Sequence, residues 1–334
     1  MQTPSSCAPP LISFVVPVYN VPPRWLEACI RSILALPLEA SMREIIVVDD
    51  GSREPVAPQL ESLGADVCCV RQPNRGLGEA RNRGIQLASA AYIQFVDADD
   101  CLLPRAYAHC IRALQAMRPD IVCFRLTRSC EPSAPSVPLA VPASLPSGTD
   151  YMLHHNLRAS ACGYLFRKDI LGGLRFPSGL LHEDEDFTPR LFLAARTVCD
   201  LPIAAYYYRP APQSITSDTR APRVARRLDS KQQVLVRLSR LAVTLPVHER
   251  AALCRRIAQL SMDLLADMLR LRLPYDEFLR RVELLRQEGF YPLPLKGYTF
   301  RYCLFAWLSR WKTLLFMLYR AEKQALFAEN AHKL

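Results

Sequence analysis

The sequence predicts an α/β fold: a mostly parallel sheet flanked by helices, with an α-helical extension at the C-terminus. Three features carry that expectation. Five short apolar runs rich in β-branched residues fall within the first 126 residues, and segments of helical length separate them. The runs are apolar throughout instead of alternating, as strands of a sheet covered on both faces must be. After Pro222 the pattern turns helical and basic, broken at Pro274 and again at Pro292 and Pro294.

The five runs are residues 11–17, 44–48, 66–70, 92–96 and 120–124. Parallel strands bring their carboxyl ends to one edge of the sheet, and chemistry is expected in the loops there. Residues 128–147 are rich in Pro and Ser, Pro132, Ser133, Pro135 and Ser136 among them, which suits a surface loop. A strand at Tyr164 to Phe166, a loop over 176–184, a helix beginning near Asp184 and a strand-like run Tyr206, Tyr207, Tyr208 follow. There is no internal repeat.

A chain of 334 residues suffices for one large α/β domain and an appended module. Half of it is hydrophobic and 22% charged, which excludes long disorder. The net charge of +10 calls for nucleic acid, acidic lipid or an anionic substrate. With no nucleic-acid module in the chain, nucleic acid is not expected as a partner. The 12 cysteines stand singly except for Cys68 and Cys69, without a CxxC pair, and read as reduced core thiols of a cytoplasmic protein. His154 and His155 read as helix surface. No secretory signal or spanning helix is expected.

Two of the runs end in acids. Val47 and Val48 lead into Asp49, Asp50, Gly51, Ser52, and Phe95 and Val96 into Asp97, Ala98, Asp99, Asp100. Either cluster alone could be a turn or a helix cap. At successive strand ends they should face one crevice, where crowded carboxylates raise one another's pKa and call for a cation. Oxygen-only ligands suit a hard ion such as Mg or Mn, which also grips diphosphate oxygens.

Taken in order, Val15, Val16, Pro17, Val18, Tyr19, Asn20; then Val47 to Ser52; then Asn74, Arg75, Gly76, Leu77, Gly78, Glu79, Ala80, Arg81, Asn82; then Asp97 to Asp100 resemble glycosyltransferase family 2 over roughly residues 10–217. The resemblance implies the GT-A fold, a Rossmann-like sheet, with a donor half at about 10–127 and an acceptor half at about 147–217. Residues 222–334 lie outside it as a basic helical region. It implies an inverting, metal-dependent transfer from a nucleotide diphosphate sugar, UDP by default, in exopolysaccharide, capsule or lipopolysaccharide synthesis. Tyr19, beside Pro17 and Asn20, would pack on the base, and Asp50 would bond the base or ribose. Asp99 would ligate the metal, with Asp97 on the ribose or a metal-bound water and Ala98 between them. Asn74, Gly76 and Arg81 would border the donor, the glycines allowing a close backbone approach to phosphate.

Four acids, Glu183, Asp184, Glu185 and Asp186, stand before an apolar helix. The helix dipole alone would favour them there. The resemblance implies more: Gly179, Glu183 and Asp184 match a pattern that supplies the general base, assigned to Asp184 with Glu183 beside it in the acceptor pocket. A sugar hydroxyl is a weak nucleophile, so a positioned carboxylate must take its proton. Arg209, after the tyrosine run, could offset diphosphate charge or be a surface Arg on an edge strand. Ser214, Ile215 and Thr216 resemble a loop that closes over the donor. At Cys162 to Arg167 the chain departs from the family's Trp and Lys, which leaves the acceptor open.

Phe300, Cys303, Leu304, Trp307, Trp311, Leu314, Leu315 and Leu318 recur at helical spacing among Arg301, Arg310, Lys312, Arg320 and Lys323. Such a stripe faces a core, a partner or, as an amphipathic helix, a membrane surface. A saccharide or lipid-linked acceptor fits either a cytoplasmic enzyme or one peripheral at the inner face of the plasma membrane. The competing functional reading is a nucleotide-sugar-binding scaffold without turnover. A dinucleotide oxidoreductase is excluded because Pro17 to Asn20 replace the Gly-rich turn it needs after the first strand.

Overall fold

The structure, a computed structural model, describes residues 9–63, 67–129, 144–210, 220–271, 273–311, 314–317 and 319. The Pro- and Ser-rich segment at 130–143, the closing loop at Ser214 to Thr216, and Asp66, Lys312, Leu318, Arg320 and Lys323 lie outside the described residues. The chain forms two compact units, residues 1–151 with 158–211, and residues 152–157 with 212–334.

The first unit is built on one sheet. Its described strands are β1 (Ile12–Val18), β2 (Arg43–Asp49), β3 (Val67–Arg71), β4 (Tyr92–Phe95), β5 (Cys101–Leu102), β6 (Ile121–Thr127), β7 (Tyr164–Arg167) and β8 (Val198–Tyr207), in the order β3-β2-β1-β4-β7-β6-β8-β5. β3, β2, β1 and β4 run parallel, as their apolar sequences predict. β6 does not continue that set. β7 enters antiparallel between β4 and β6, pairing Ile93 with Phe166 on one side and Ile121 with Phe166 on the other. Four residues of sequence cannot announce such an insertion, because their apolar character suits any central position.

Helices cover both faces. Ile12, Phe14, Val16 and Val18 of β1 pack with Leu26, Ile30 and Ile33 of α1 (Pro23–Leu34) and with Tyr107, Ile111 and Leu114 of the helix Pro104–Met117. Numbered in chain order, the helices after α1 are α2 (Ala57–Glu61), α3 (Leu77–Leu87), α4 (Pro104–Met117), α5 (Gly148–His154) and α6 (Glu183–Ala194). α3 packs on β1 closely enough that a Cβ at Gly84 would stand 2.1 Å from Val15 Cγ1. Phe95, Phe166, Phe176 and Phe187 form a ring cluster, with Phe176 and Phe187 stacked 3.9 Å apart. Pro17 lies two residues past the last β1–β4 pair, Val15 with Phe95, so its missing N–H falls where that ladder has ended.

The cysteines only partly match the expected core thiols. Cys29, Cys110, Cys123, Cys162 and Cys199 are buried, but Cys68 and Cys254 are exposed. Cys68 is exposed because β3 is an edge strand. His154 and His155 are exposed, as expected.

The second unit contains α7 (Ala221–Thr244), α8 (Val247–Arg270), α9 (Tyr275–Gln287) and α10 (Phe300–Ser309). Residues 152–157 belong to it through three buried side chains of α8: Arg255 binds the Leu153 carbonyl, Arg256 the Leu157 carbonyl at 3.0 Å, and Gln259 the Asn156 side chain. The stripe expected over 300–318 is not one helix. Tyr291 Oη donates to the Ser309 carbonyl at 2.5 Å, capturing a C-terminal acceptor, and α10 ends there. No described helix is long and apolar enough to cross a membrane.

Candidate active site

The two acid clusters do reach the same edge of the sheet. β1 lies between β2 and β4, with Val18 opposite Asp49 and Val15 opposite Phe95, so Asp49–Asp50 and Asp97–Asp100 emerge at the carboxyl ends of parallel strands. Tyr19 is exposed beside them. Asn20, in the left-handed region at φ 51°, donates its N–H to Ser52 Oγ at 3.0 Å and accepts from Arg53 N at 2.9 Å, tying the β1 and β2 loops together.

Asp50 is buried and holds the next loop. Its Oδ1 accepts from Gln72 Nε2 at 2.8 Å and from Arg75 N at 3.0 Å, while Oδ2 accepts from Gly76 N at 2.8 Å. The backbone of the Gly-rich stretch, expected to approach phosphate, here donates two N–H groups to Asp50. Gly51 is required at the crossing: at φ 77°, a Cβ would sit 2.8 Å from Asn74 N. Asn74 itself is exposed.

Arg81, on α3, joins the acids after β4 to those of α6. Nη2 donates to Asp97 Oδ1 at 3.0 Å and Nη1 to Glu183 Oε1 at 2.7 Å, with the guanidinium packed 5.8 Å from the Phe95 ring and 5.5 Å from Phe176. The neighbouring Asn82 holds the loop ahead of α6 from both sides: its Nδ2 donates to the Phe176 carbonyl and its Oδ1 accepts from Phe176 N, both at 2.9 Å. Gly78 gives the room, since a Cβ there would meet Glu183 Cγ at 3.2 Å. One helix near the start of the unit thus fixes acids that come about 100 residues later.

Those acids form the first turn of α6 and do not precede it, where the helix dipole favours them. His182 enters the helix at φ 62°. Burial, followed by the charges of Glu183 and Glu185, pushes the Asp184 carboxyl up to about 8, with Arg81 pulling the other way. A carboxylate so placed is a better proton acceptor than a free one.

Around Asp99 a second set of contacts forms. Tyr206 Oη donates to Asp100 Oδ2 at 2.8 Å and accepts from Asp97 N at 3.0 Å, while Arg209 N donates to Asp100 Oδ1 at 2.8 Å and Arg209 Nε to the Asp99 carbonyl at 2.7 Å. Arg209 packs over Trp25 and Tyr207 at 5.5 and 5.4 Å; β8 is not an edge strand, since β5 lies outside it. The Asp99 carboxylate is half-buried, and burial and Asp97 raise its pKa. Ala98 turns its methyl into the core, as Pro17 is also buried within β1, leaving both only backbone to offer a ligand. Tyr206, Asp100, Asn82 and Gln72 carry no role in the sequence reading; the one signal for Tyr206 is its place in an aromatic run.

Among the described residues no three acids, histidines or cysteines converge as a metal cage. Asp99, with Asp97 near it, still fits a hard divalent ion that takes its other ligands from diphosphate and water, as Mg commonly does.

A family description, "Glycosyl transferase family 2", matches residues 13–171. The chain is 30% identical over 240 residues to the uncharacterized glycosyltransferase EpsJ of Bacillus subtilis, covering 68% of this chain and 69% of that protein. It is 33% identical over 120 residues to the succinoglycan biosynthesis protein ExoW of Rhizobium meliloti, covering 34% of this chain and 36% of ExoW. In fold it is similar to S. aureus TarS 1–349 in complex with UDP-GlcNAc, with TM-score 0.56, 17% identity, and 84% of this chain and 93% of that one covered. A mannosyltransferase from Pyrobaculum calidifontis in complex with GDP-Man and Mn2+ gives TM-score 0.52 at 14% identity, with 92% and 90% covered.

Proposed function

The chain belongs to glycosyl transferase family 2, and on that footing we propose that it moves a sugar with inversion from a nucleoside diphosphate donor, a UDP-sugar by default, to a saccharide or lipid-linked acceptor hydroxyl. The observation that carries the reading is the Arg81 bridge from Asp97 to Glu183. It keeps acids suited to a proton acceptor beside acids suited to a cation, and sugar transfer needs both at one reacting centre. Asp184, its pKa raised by burial, takes the acceptor proton, and Glu183 beside it is held by Arg81. In-line attack needs no covalent sugar–enzyme intermediate, so no further carboxylate acts as nucleophile.

Asp99 would hold a Mn or Mg ion, with Asp97 assisting. When bound, that ion would neutralise charge on the departing diphosphate. Arg209 adds a fixed positive charge next to the Asp99 backbone. Exposed Tyr19 offers a face for the base, and Asn20, Asn74 and Gly76 border it. The ligands named in the TarS and mannosyltransferase structures, UDP-GlcNAc and GDP-Man with Mn2+, support a nucleotide sugar and a divalent ion. ExoW, named for succinoglycan biosynthesis, supports a place in polysaccharide assembly. A lipid-linked acceptor would bring the enzyme to the inner face of the plasma membrane.

The test is release of nucleoside diphosphate from a panel of nucleotide sugars, with Mn or Mg and with chelator, using wild type, Asp99→Ala and Asp184→Asn. One donor is expected to turn over only when metal is present, and both variants to lose that turnover. A donor that binds without turning over, even with oligosaccharide and lipid-linked acceptors, would replace this reading with the scaffold.

A further inference from the structure

α10 is apolar on two opposite faces, and among the described residues only one of them is covered. Tyr302, Ala306 and Ser309 are buried within their unit. Opposite them Phe300, Leu304, Trp307 and, just past the helix end, Trp311 are 82, 47, 52 and 56% exposed. At 100° per residue Phe300, Leu304 and Trp307 fall within about 60° of one another, a continuous stripe, and Trp311 follows as an exposed ring just past its end. A helix apolar on both faces is normally buried on both.

The charges around the stripe indicate what covers it. Arg301 and Arg310 are exposed and project about 80–100° to either side of it by the same helical geometry. From Gly289 to Ala321 the sequence contains no Asp or Glu, but it contains Lys296, Arg301, Arg310, Lys312 and Arg320. An apolar protein partner has no use for a border of unopposed cations, and nucleic acid has none for a ridge of Phe, Leu and Trp. An anionic bilayer uses both: the rings enter the headgroup boundary while the arginines reach lipid phosphates.

We propose that the outer face of α10, continued by Trp311, seats on an anionic phospholipid surface. This deepens the location given by a lipid-linked acceptor but does not depend on transfer, because lipid binding is measured without donor. The side chains concerned are exposed, so replacing them is expected to leave the fold intact; far-UV circular dichroism and donor turnover check that.

The experiment is flotation of the full chain with phosphatidylglycerol-rich vesicles and with pure phosphatidylcholine vesicles. Wild type is expected to float with the former and far less with the latter. Leu304→Ser/Trp307→Ser/Trp311→Ser should abolish flotation while donor turnover persists. Arg301→Gln and Arg310→Gln should each lower partitioning roughly fivefold. Brominated anionic lipid should quench wild-type tryptophan fluorescence and leave the triple variant, which keeps Trp25, unquenched. Failure of wild type to float, or undiminished flotation of the triple variant, overturns the proposal. So does a lipid-free dimer in analytical ultracentrifugation that the triple variant turns into a monomer, which would give the stripe to a second copy. None of these results bears on the transferase reading, which stands or falls on donor turnover.

Discussion

Replacing Arg81 by methionine removes the cation between the two acid clusters while keeping the length of its stem. The Arg81 side chain is 4% exposed and that of Glu183 8%, so the pair belongs to the buried class, not to surface pairs worth about 1 kcal/mol or less. Losing one partner of a buried pair leaves an uncompensated charge and costs about 3–5 kcal/mol. For a domain of this size each kcal/mol moves Tm by about 2–4 °C, so a fall of roughly 6–20 °C is expected. Arg81→Lys should fall too, since an ammonium cannot reach both acids in the geometry of a planar fork. The discriminating variant is Arg81→Met/Glu183→Leu. It removes the orphaned charge as well and should recover most of the loss; Asp97, with 28% of its side chain exposed, can be hydrated in Arg81's absence. Melting by circular dichroism decides the matter. An Arg81→Met protein melting within about 2 °C of wild type, or a double variant no better than the single, would refute the argument; a change confined to donor KM would make Arg81 a ligand contact alone.

The remaining expectations concern the same neighbourhood. Asp184→Asn should cut turnover by about 10²–10⁴-fold in an assay of nucleoside diphosphate release. The base works as a carboxylate, so wild-type kcat/KM should climb with pH through a value near 8, and a profile flat from pH 6 to 9 would remove Asp184 from that role. The same raised pKa has an opposite sign for stability. The folded state holds the proton more tightly than the unfolded one, so stability is lost as pH rises from about 4 toward 8, and Asp184→Asn should melt higher than wild type at pH 7.5 but not at pH 4.5. Gly84→Ala drives a methyl into Val15 and should cost about 1–3 kcal/mol in urea denaturation, partly restored by Val15→Ala; a neutral result would mean that α3 can lift from β1. Asp50→Ala frees the Arg75 and Gly76 amides and should raise proteolytic cleavage between residues 72 and 76 as well as donor KM; unchanged cleavage would show the loop is held by other contacts.

Much of the first 127 residues was legible because parallel strands write themselves as apolar runs and because acids at strand ends are costly without a purpose. Val47 to Asp50 and Phe95 to Asp100 combine both signals within a few residues. What could not be read is whatever depends on contact across long stretches of chain. Arg81 and Glu183 are 102 residues apart, and nothing near either names the other. Asp50 reads from sequence as a ligand contact; its bonds to the loop 22 to 26 residues away could not be read there. The stripe of α10 was legible as a period, but a period has no sign: it does not say which face meets the core, and here the weaker face of Tyr302, Ala306 and Ser309 does. Its end was hidden as well, since the hydroxyl that captures Ser309 comes from Tyr291.

The place of β7 in the sheet also sets the order in which the protein can be made. β4 leaves the ribosome with β1 on one side, but its other neighbour is encoded about 70 residues later, past β6, which in the finished sheet lies between β7 and β8. At roughly 5–20 residues per second the open edge of β4 waits several seconds during synthesis. In that interval Tyr92, Ile93 and Phe95 border an unpaired backbone, the condition under which nascent chains find each other. A later strand seated in the middle of the sheet therefore leaves one edge of β4 open while residues 96–163 are translated.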